Sequence, residues 1–249
     1  MSAEAKPALL CLHGWGLNAA VWEPLAEQLV GRARLLAPDL PGHGTRVGEG
    51  RFGDLGSAAD DLATGLDGPV TVVGWSLGGL LALDMAQRHP ARVARVVLVA
   101  ATPRFVQAAD WPYAVQAEVL AGFARDLSKD YRATLTRFLA LQVHGVPGRA
   151  ASLRDLKARC LQALPHPRAL AEGLEVLRDS DLRSGFAALK VPVSAVLGAL
   201  DTLVPRAVAD DLRRLRPGMP VDVFPGAGHA PLLSHADVLA ERVMELTRG

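Results

Sequence analysis

Short unbroken apolar runs alternate along this chain with stretches in which apolar residues recur every three or four positions. That rhythm predicts strands alternating with helices. The runs occupy residues 8–12, 34–38, 69–73, 93–100, 191–198 and 221–224. They lack the apolar–polar alternation of a strand with one wet face, so they read as parallel strands covered on both sides. Helical spacing marks residues 18–30, with Val21, Trp22, Leu25 and Leu29 on one face, and residues 54–66. It returns from the segment after Ser76 to His89-Pro90, at 207–215, and at 234–247, where Ser234 is the expected N-cap with Asp237 three residues on. Strand–helix alternation with right-handed crossovers predicts an α/β fold, a mostly parallel sheet of about six strands with helices on both faces.

Between Phe105 and Leu189 the rhythm stops. No strand pattern occurs there, and helices are expected at 115–127, 131–143, 152–164 and 169–177. An insertion this long and this patterned predicts a helical cap over the carboxyl ends of the strands, where open α/β sheets place their sites. Residues 1–104 and 190–249 are then two parts of one core, with 105–189 the inserted cap. There is no internal repeat or low-complexity segment.

Composition narrows this picture only slightly. Half of the 249 residues are hydrophobic and the net charge is +1, which gives no general attraction to nucleic acid or membrane. Residues 1–7 carry no apolar signal core and no stretch is apolar enough to span a bilayer, so a cytoplasmic protein is expected. Cys11 and Cys160 sit in apolar-patterned segments and read as buried small hydrophobes in a reducing compartment.

The chemistry is concentrated around Gly74-Trp75-Ser76-Leu77-Gly78. A β-favouring run enters this Gly-x-Ser-x-Gly and a helical pattern leaves it. So tight a strand–helix turn strains its middle residue and lifts the Ser76 hydroxyl to a helix N-terminus, where negative charge is favoured. Gly74 and Gly78 are expected because side chains there would collide across the turn. A serine needs a base, and the base needs a carboxylate to hold its tautomer. Asp201 and His229 each follow a strand beyond the cap, in the order serine, acid, histidine. Asp39 is the rival acid by its place after a strand, although it precedes the serine. His13 and His43 lie in loops near the site and either could support it. His235 reads as structural or solvated, and His89 as a helix end. The tetrahedral oxyanion needs two donors. Leu77 N–H, just after the serine, is one; Trp15 N–H, in the loop after the first strand, is the expected second. There is no His-Glu-x-x-His and no paired Cys-x-x-Cys, so no metal and no cofactor is expected.

With these motifs the chain resembles the α/β-hydrolase family over nearly its whole length. Within it the resemblance is to the carboxylesterases of biotin synthesis that cleave the methyl ester of pimeloyl-acyl carrier protein. It is carried by Leu12-His13-Gly14-Trp15-Gly16-Leu17-Asn18, by the serine turn with its preceding tryptophan, and by Phe138-Leu139-Ala140-Leu141-Gln142. Leu203-Val204-Pro205-Arg206 after Asp201, and His229-Ala230-Pro231 with Ser234-His235, continue it. The resemblance implies catalysis by Ser76, Asp201 and His229. It also implies a substrate site lined by Trp15, Ser76, Leu77, Phe138, Leu139, Ala140, Leu141, Gln142 and His229. Strands usually precede the His-Gly loop in this family, whereas only residues 1–7 do here, so the sheet should lack an antiparallel edge.

Residues 128–168 carry a formal charge of +6 within a chain of +1. Arg132, Arg137, Arg149, Arg154, Lys157 and Arg159 are the docking candidates, because acyl carrier proteins are strongly acidic. Without the resemblance such a run would be a solvated helix face. The expected protein is thus a monomeric serine esterase acting on a carrier-bound ester. A general short-chain carboxylesterase, a carbon–carbon hydrolase or peracid-forming enzyme of the same fold, or a non-catalytic ligand-binding relative are the alternatives. A dehalogenase is disfavoured because Ser76 stands where that chemistry uses an aspartate.

Overall fold

The computed structural model describes residues 6–248, apart from the side chains of Arg149, Ser152 and Arg248. Six strands form the sheet: β1 (Ala8–Leu12), β2 (Arg34–Leu36), β3 (Val70–Trp75), β4 (Val93–Val99), β5 (Val193–Gly198) and β6 (Val221–Phe224). They lie in the order β2-β1-β3-β4-β5-β6, and every strand pairing among the described residues is parallel. Because the chain steps from β1 outward to β2 and then back past it to β3, the order reverses between β1 and β3. A crevice opens at the carboxyl ends of two such strands.

Alternate residues of each strand face opposite ways. Leu10, Leu12, Val72, Val96, Leu98, Ala195 and Leu197 belong to one apolar core. Leu9, Cys11, Val73, Trp75, Val97, Val99 and Val196 belong to another. The first is covered by α2 (Leu55–Thr64), α3 (Leu77–Arg88) and α9 (Val208–Leu215). The second is covered by α1 (Glu23–Gln28), α10 (Pro231–Ser234) and α11 (Ala236–Arg248). Both cysteines are buried and unpaired, and burial pushes both thiols up, that of Cys160 to about 12.

Two of the expected helices, 18–30 and 234–247, are divided for local reasons. Residues 18–30 form a 3-10 turn at Ala19–Trp22, capped by the Asn18 side chain, before α1 begins. Pro24, which has no N–H to give a preceding turn, fits only at the start of a new helix. At the other end His235 leaves the helical region at φ −141° and separates α10 from α11. Ser234 therefore ends α10, its hydroxyl 2.8 Å from His235 Nδ1, and is not the N-cap of α11.

Between β4 and β5 lie α4 (Ala117–Leu127), α5 (Tyr131–Gln142), α6 (Arg149–Cys160), α7 (Pro167–Asp179) and α8 (Arg183–Ala188). Only isolated bridges, Val106 with Val115 and Ala108 with Trp111, interrupt the helices and loops of this segment. α6 begins and ends earlier than its apolar spacing suggested. α8 has no counterpart in that spacing, and it lies beside α9 with Gly185 against Gln87 of α3. Among the described residues no helix is long and apolar enough to cross a membrane.

Candidate active site

The turn between β3 and α3 holds Ser76 at φ 53°, ψ −118°, a strained conformation for a residue with a Cβ. Ser76 N–H donates to Val99 O at 3.1 Å, and Ser76 O accepts from Gly79 N–H at 2.8 Å. These bonds hold the strain in place. A Cβ on Gly74 would overlap the Gly78 carbonyl across the turn and approach Gly79 Cα to 2.7 Å. Gly78 is required for a different reason from the expected one. Its Cβ would strike the backbone of β1, at the Leu12 carbonyl and 2.8 Å from His13 O. The serine turn is thus pressed directly against the loop that follows β1.

Asp201 and His229 are brought together by the close approach of two post-strand loops. A Cβ on Gly198 would overlap the Gly228 carbonyl, and Leu200 N–H donates to Ala227 O at 2.9 Å. His229 Nδ1 lies 2.8 Å from Asp201 Oδ2, with both side chains buried. The carboxylate can only accept, so Nδ1 carries the proton and Nε2 presents a lone pair. Nε2 is buried with no protein partner. The other carboxylate oxygen accepts from Leu203 N–H at 2.8 Å and Val204 N–H at 3.0 Å, which fixes the acid's orientation. His229 is gripped by its backbone as well. Its carbonyl accepts from Trp75 Nε1 at 2.6 Å and its N–H donates to Gln142 O of α5 at 3.1 Å.

The loop after β1 meets Ser76 closely, since a Cβ on Gly14 would sit 3.2 Å from Ser76 Cβ. His13 fastens this loop to the one after β2. Leu40 N–H donates to His13 Nε2 at 2.9 Å, so Nδ1 holds the proton and donates to Gly14 O at 2.9 Å. Burial pulls the His13 imidazole down to about 3 and that of His43, 5.4 Å away, to about 4, so both are neutral near pH 7. Asp39 accepts from Ala19 N–H, Thr45 N–H and Thr45 Oγ at 2.6–2.7 Å, which braces the loop and involves no bond to His229. His89 bonds Asp60, and His235 bonds Ser234 and the Pro225 carbonyl.

Trp15 is fully buried beneath the inserted helices. Its Nε1 donates to Leu170 O of α7 at 2.8 Å, and its ring meets Phe138 of α5 edge-on at 4.7 Å. Phe123 of α4 completes this aromatic group, 5.6 Å from Phe138 and 6.5 Å from Trp15. Along α5, Phe138 turns to Trp15, Leu139 joins the core behind Trp75, and Gln142 is buried with its Oε1 unpartnered. Ala140 is exposed, and half-buried Leu141 faces a groove of about 320 Å³ shared with Val119, Phe123 and Arg137.

The basic residues divide by their partners. Arg132 is exposed, its guanidinium 5.5 Å from the Tyr131 ring centre; Arg154 is exposed and Lys157 half-buried. Arg137 pairs with Asp126 at 2.6 Å on the surface. Arg159 is only 23% exposed and is held by Asp155 and Glu23, tying α6 to α1. The Arg149 side chain lies outside what is described. Sequence reading missed Phe123, Leu170 and Gly173, and the bond from Trp75 to His229. The tryptophan before the serine and the glycine within α7 were their only visible traces.

A family model described as "alpha/beta hydrolase fold" matches residues 7–236. The chain is 42% identical to the "Pimeloyl-[acyl-carrier protein] methyl ester esterase" of Pectobacterium atrosepticum, over 97% of this chain and 94% of that protein. It is 40% identical to the protein of that name from Aromatoleum aromaticum, over 98% and 99%. Among solved structures it is similar to an esterase from Exiguobacterium antarcticum (TM-score 0.85, 22% identity, 99% and 94% covered). It is also similar to an enol-lactonase from Burkholderia xenovorans (TM-score 0.82, 20% identity, 100% and 94% covered). At these identities the structures speak for the fold alone.

Proposed function

Since this chain belongs to the α/β-hydrolase fold family, we propose that it is a serine carboxylesterase that hydrolyses the methyl ester of pimeloyl-acyl carrier protein. The products are pimeloyl-acyl carrier protein and methanol, and the pathway served is biotin synthesis. The observation that carries the chemistry is the buried His229, with Nδ1 committed to Asp201, Nε2 uncommitted, and its carbonyl bonded by Trp75, the residue before a serine on a strained turn. The near full-length similarity to two methyl ester esterases supports the substrate.

His229 Nε2 takes the Ser76 proton as Oγ attacks the ester carbonyl. The carbonyl oxygen becomes an oxyanion, and the N–H groups of Leu77 and Trp15 stabilise it. Asp201 keeps the imidazole in its productive tautomer and offsets the charge of the imidazolium. The intermediate collapses with cleavage of the bond to methoxide, which leaves as methanol with the proton from Nε2. Water then attacks the acyl-Ser76 ester, His229 takes its proton, and the second collapse returns that proton to Ser76 Oγ and frees the carboxylate.

The carrier is an acidic partner, and the exposed Arg132, Arg137 and Arg154 on α5 and α6 are suited to receive it. The surface pair of Arg137 with Asp126 is worth at most ~1 kcal/mol, so a carboxylate of the carrier can displace Asp126. Arg159, spent on Glu23 and Asp155, is better read as packing. Replacing Arg132, Arg137 and Arg154 together with alanine should raise the apparent KM for the carrier-bound methyl ester about tenfold or more, and added salt should do the same to wild type. Turnover of a small soluble ester should be unchanged. Equal KM for the carrier ester in variant and wild type would remove this face from carrier binding.

A further inference from the structure

α7 carries a glycine at an interior position, where glycine weakens a helix relative to alanine. Gly173 is buried, and its backbone is neither a turn nor at positive φ. The reason for it lies across the interface. A Cβ on Gly173 would come 2.8 Å from Trp15 Cδ1, 3.2 Å from Trp15 Nε1 and 3.5 Å from Leu77 Cδ2. Trp15 and Leu77 are the two residues whose N–H groups serve the oxyanion. One turn earlier the same helix accepts the Trp15 indole N–H at Leu170 O, 2.8 Å away. The Cδ1–Nε1 edge of the indole therefore lies against α7, with the hydrogen bond and the glycine-only clearance side by side, and Phe138 meets the ring in a T-shaped contact.

α7 is itself pinned to the core. Glu172 accepts from Phe52 N–H at 2.8 Å and Gly53 N–H at 2.7 Å and pairs with Arg168. His166 N–H, at the helix start, donates to Gly42 O at 2.9 Å. A helix so fastened cannot retreat cheaply from an added methyl group, so the displacement falls on the loop bearing Trp15.

We infer that Gly173 is a positioning residue: by letting α7 lie directly on the Trp15 indole and Leu77, it holds the two oxyanion donors at their working distance. This rests on the serine-esterase reading above and adds to it a residue that touches neither substrate nor triad. Misplacing donors by a few tenths of an ångström weakens charge stabilisation in the transition state while leaving ground-state binding nearly intact.

Gly173→Ala is to be measured on a small soluble ester, with Ser76→Ala alongside. The expected result is a kcat lower by about tenfold to a hundredfold, with KM within about threefold. Affinity for a trifluoromethyl ketone, which mimics the tetrahedral oxyanion, should fall in step with kcat, and affinity for the product acid should not. In a Trp15→Ala background, which removes the indole atoms nearest Gly173, the same change should cost less than about threefold relative to Trp15→Ala alone. An unchanged kcat in folded Gly173→Ala overturns the inference, as does equal loss of ketone and product affinity. If Gly173→Ala does not fold, the pair with Trp15→Ala decides: recovery of folding and of the Trp15→Ala turnover supports the inference, and continued failure overturns it. Activity surviving in Ser76→Ala would sink the esterase reading itself, whereas a dead Ser76→Ala beside a normal Gly173→Ala sinks only the role of Gly173.

Discussion

Replacing Asp201 by asparagine changes one atom and separates the acid's two functions. In the native site one oxygen accepts from Leu203 and Val204 N–H, and the other accepts from His229 Nδ1–H. Two fixed N–H donors on one side dictate how an amide must sit, with its oxygen toward them and its NH2 toward His229. That NH2 can only donate, so His229 must move its proton from Nδ1 to Nε2, the atom that should receive the proton of Ser76. Loss of tautomer and of the compensating charge costs about four orders of magnitude in kcat in serine triads, or ~5.5 kcal/mol in the barrier. Folding stability should change by no more than about 1 kcal/mol, since the loop bonds survive. Asp201→Ala should lose turnover and also about 2–4 kcal/mol of stability, because both loop N–H groups lose their acceptor. The assay is release of nitrophenolate from a small p-nitrophenyl ester near neutral pH, with urea unfolding on the same preparations. Asp201→Asn turnover within tenfold of wild type would refute the reasoning. Loss in a folded Asp39→Asn instead would move the acid to Asp39.

Trp75→Phe should keep the ring packing but remove the donor to the His229 carbonyl, costing about 1–3 kcal/mol of stability in urea unfolding and lowering kcat more than it changes KM; an unchanged kcat would free Trp75 from any part in holding the base. Acid should destabilise the protein through His13 and His43, whose folded values near 3 and 4 lie below the unfolded 6.5. Between those limits the unfolded chain binds more protons, so stability is full above about pH 6.5 and falls as pH drops. Each histidine contributes about 2 kcal/mol of loss by about pH 5, and a flat profile of urea midpoints over that range would contradict their burial as neutral groups.

The strands were legible because a parallel sheet covered on both faces leaves unbroken apolar runs, and all six strands, 8–12 among them, stand where such runs do. The Asp201–His229 pair was legible because each of the two follows a strand, as Ser76 does, so the approach of their loops needed only the topology. Less was visible where distant contacts decide. α8 is a short helix containing Gly185, and it is held by Phe186 in the core rather than by any periodicity of its own. Arg159 counts toward a basic run in sequence, yet its charge is matched by Glu23, 136 residues away. Gly173 looks like a weak point in a helix until Trp15 is seen against it. The Gln142 carbonyl that receives the His229 N–H has no local signature at all.

The central claim is that Ser76 attacks a methyl ester on an acyl carrier. Its most direct measurement is the intact mass of carrier bearing a pimeloyl methyl ester, followed with time in heavy-oxygen water. Wild type should remove the methyl group, release methanol and place one heavy oxygen in the new carboxylate, leaving the thioester to the carrier whole. Ser76→Ala should leave the mass unchanged over the same period. Release of the acyl chain from the carrier, or demethylation that persists in folded Ser76→Ala, would contradict the account.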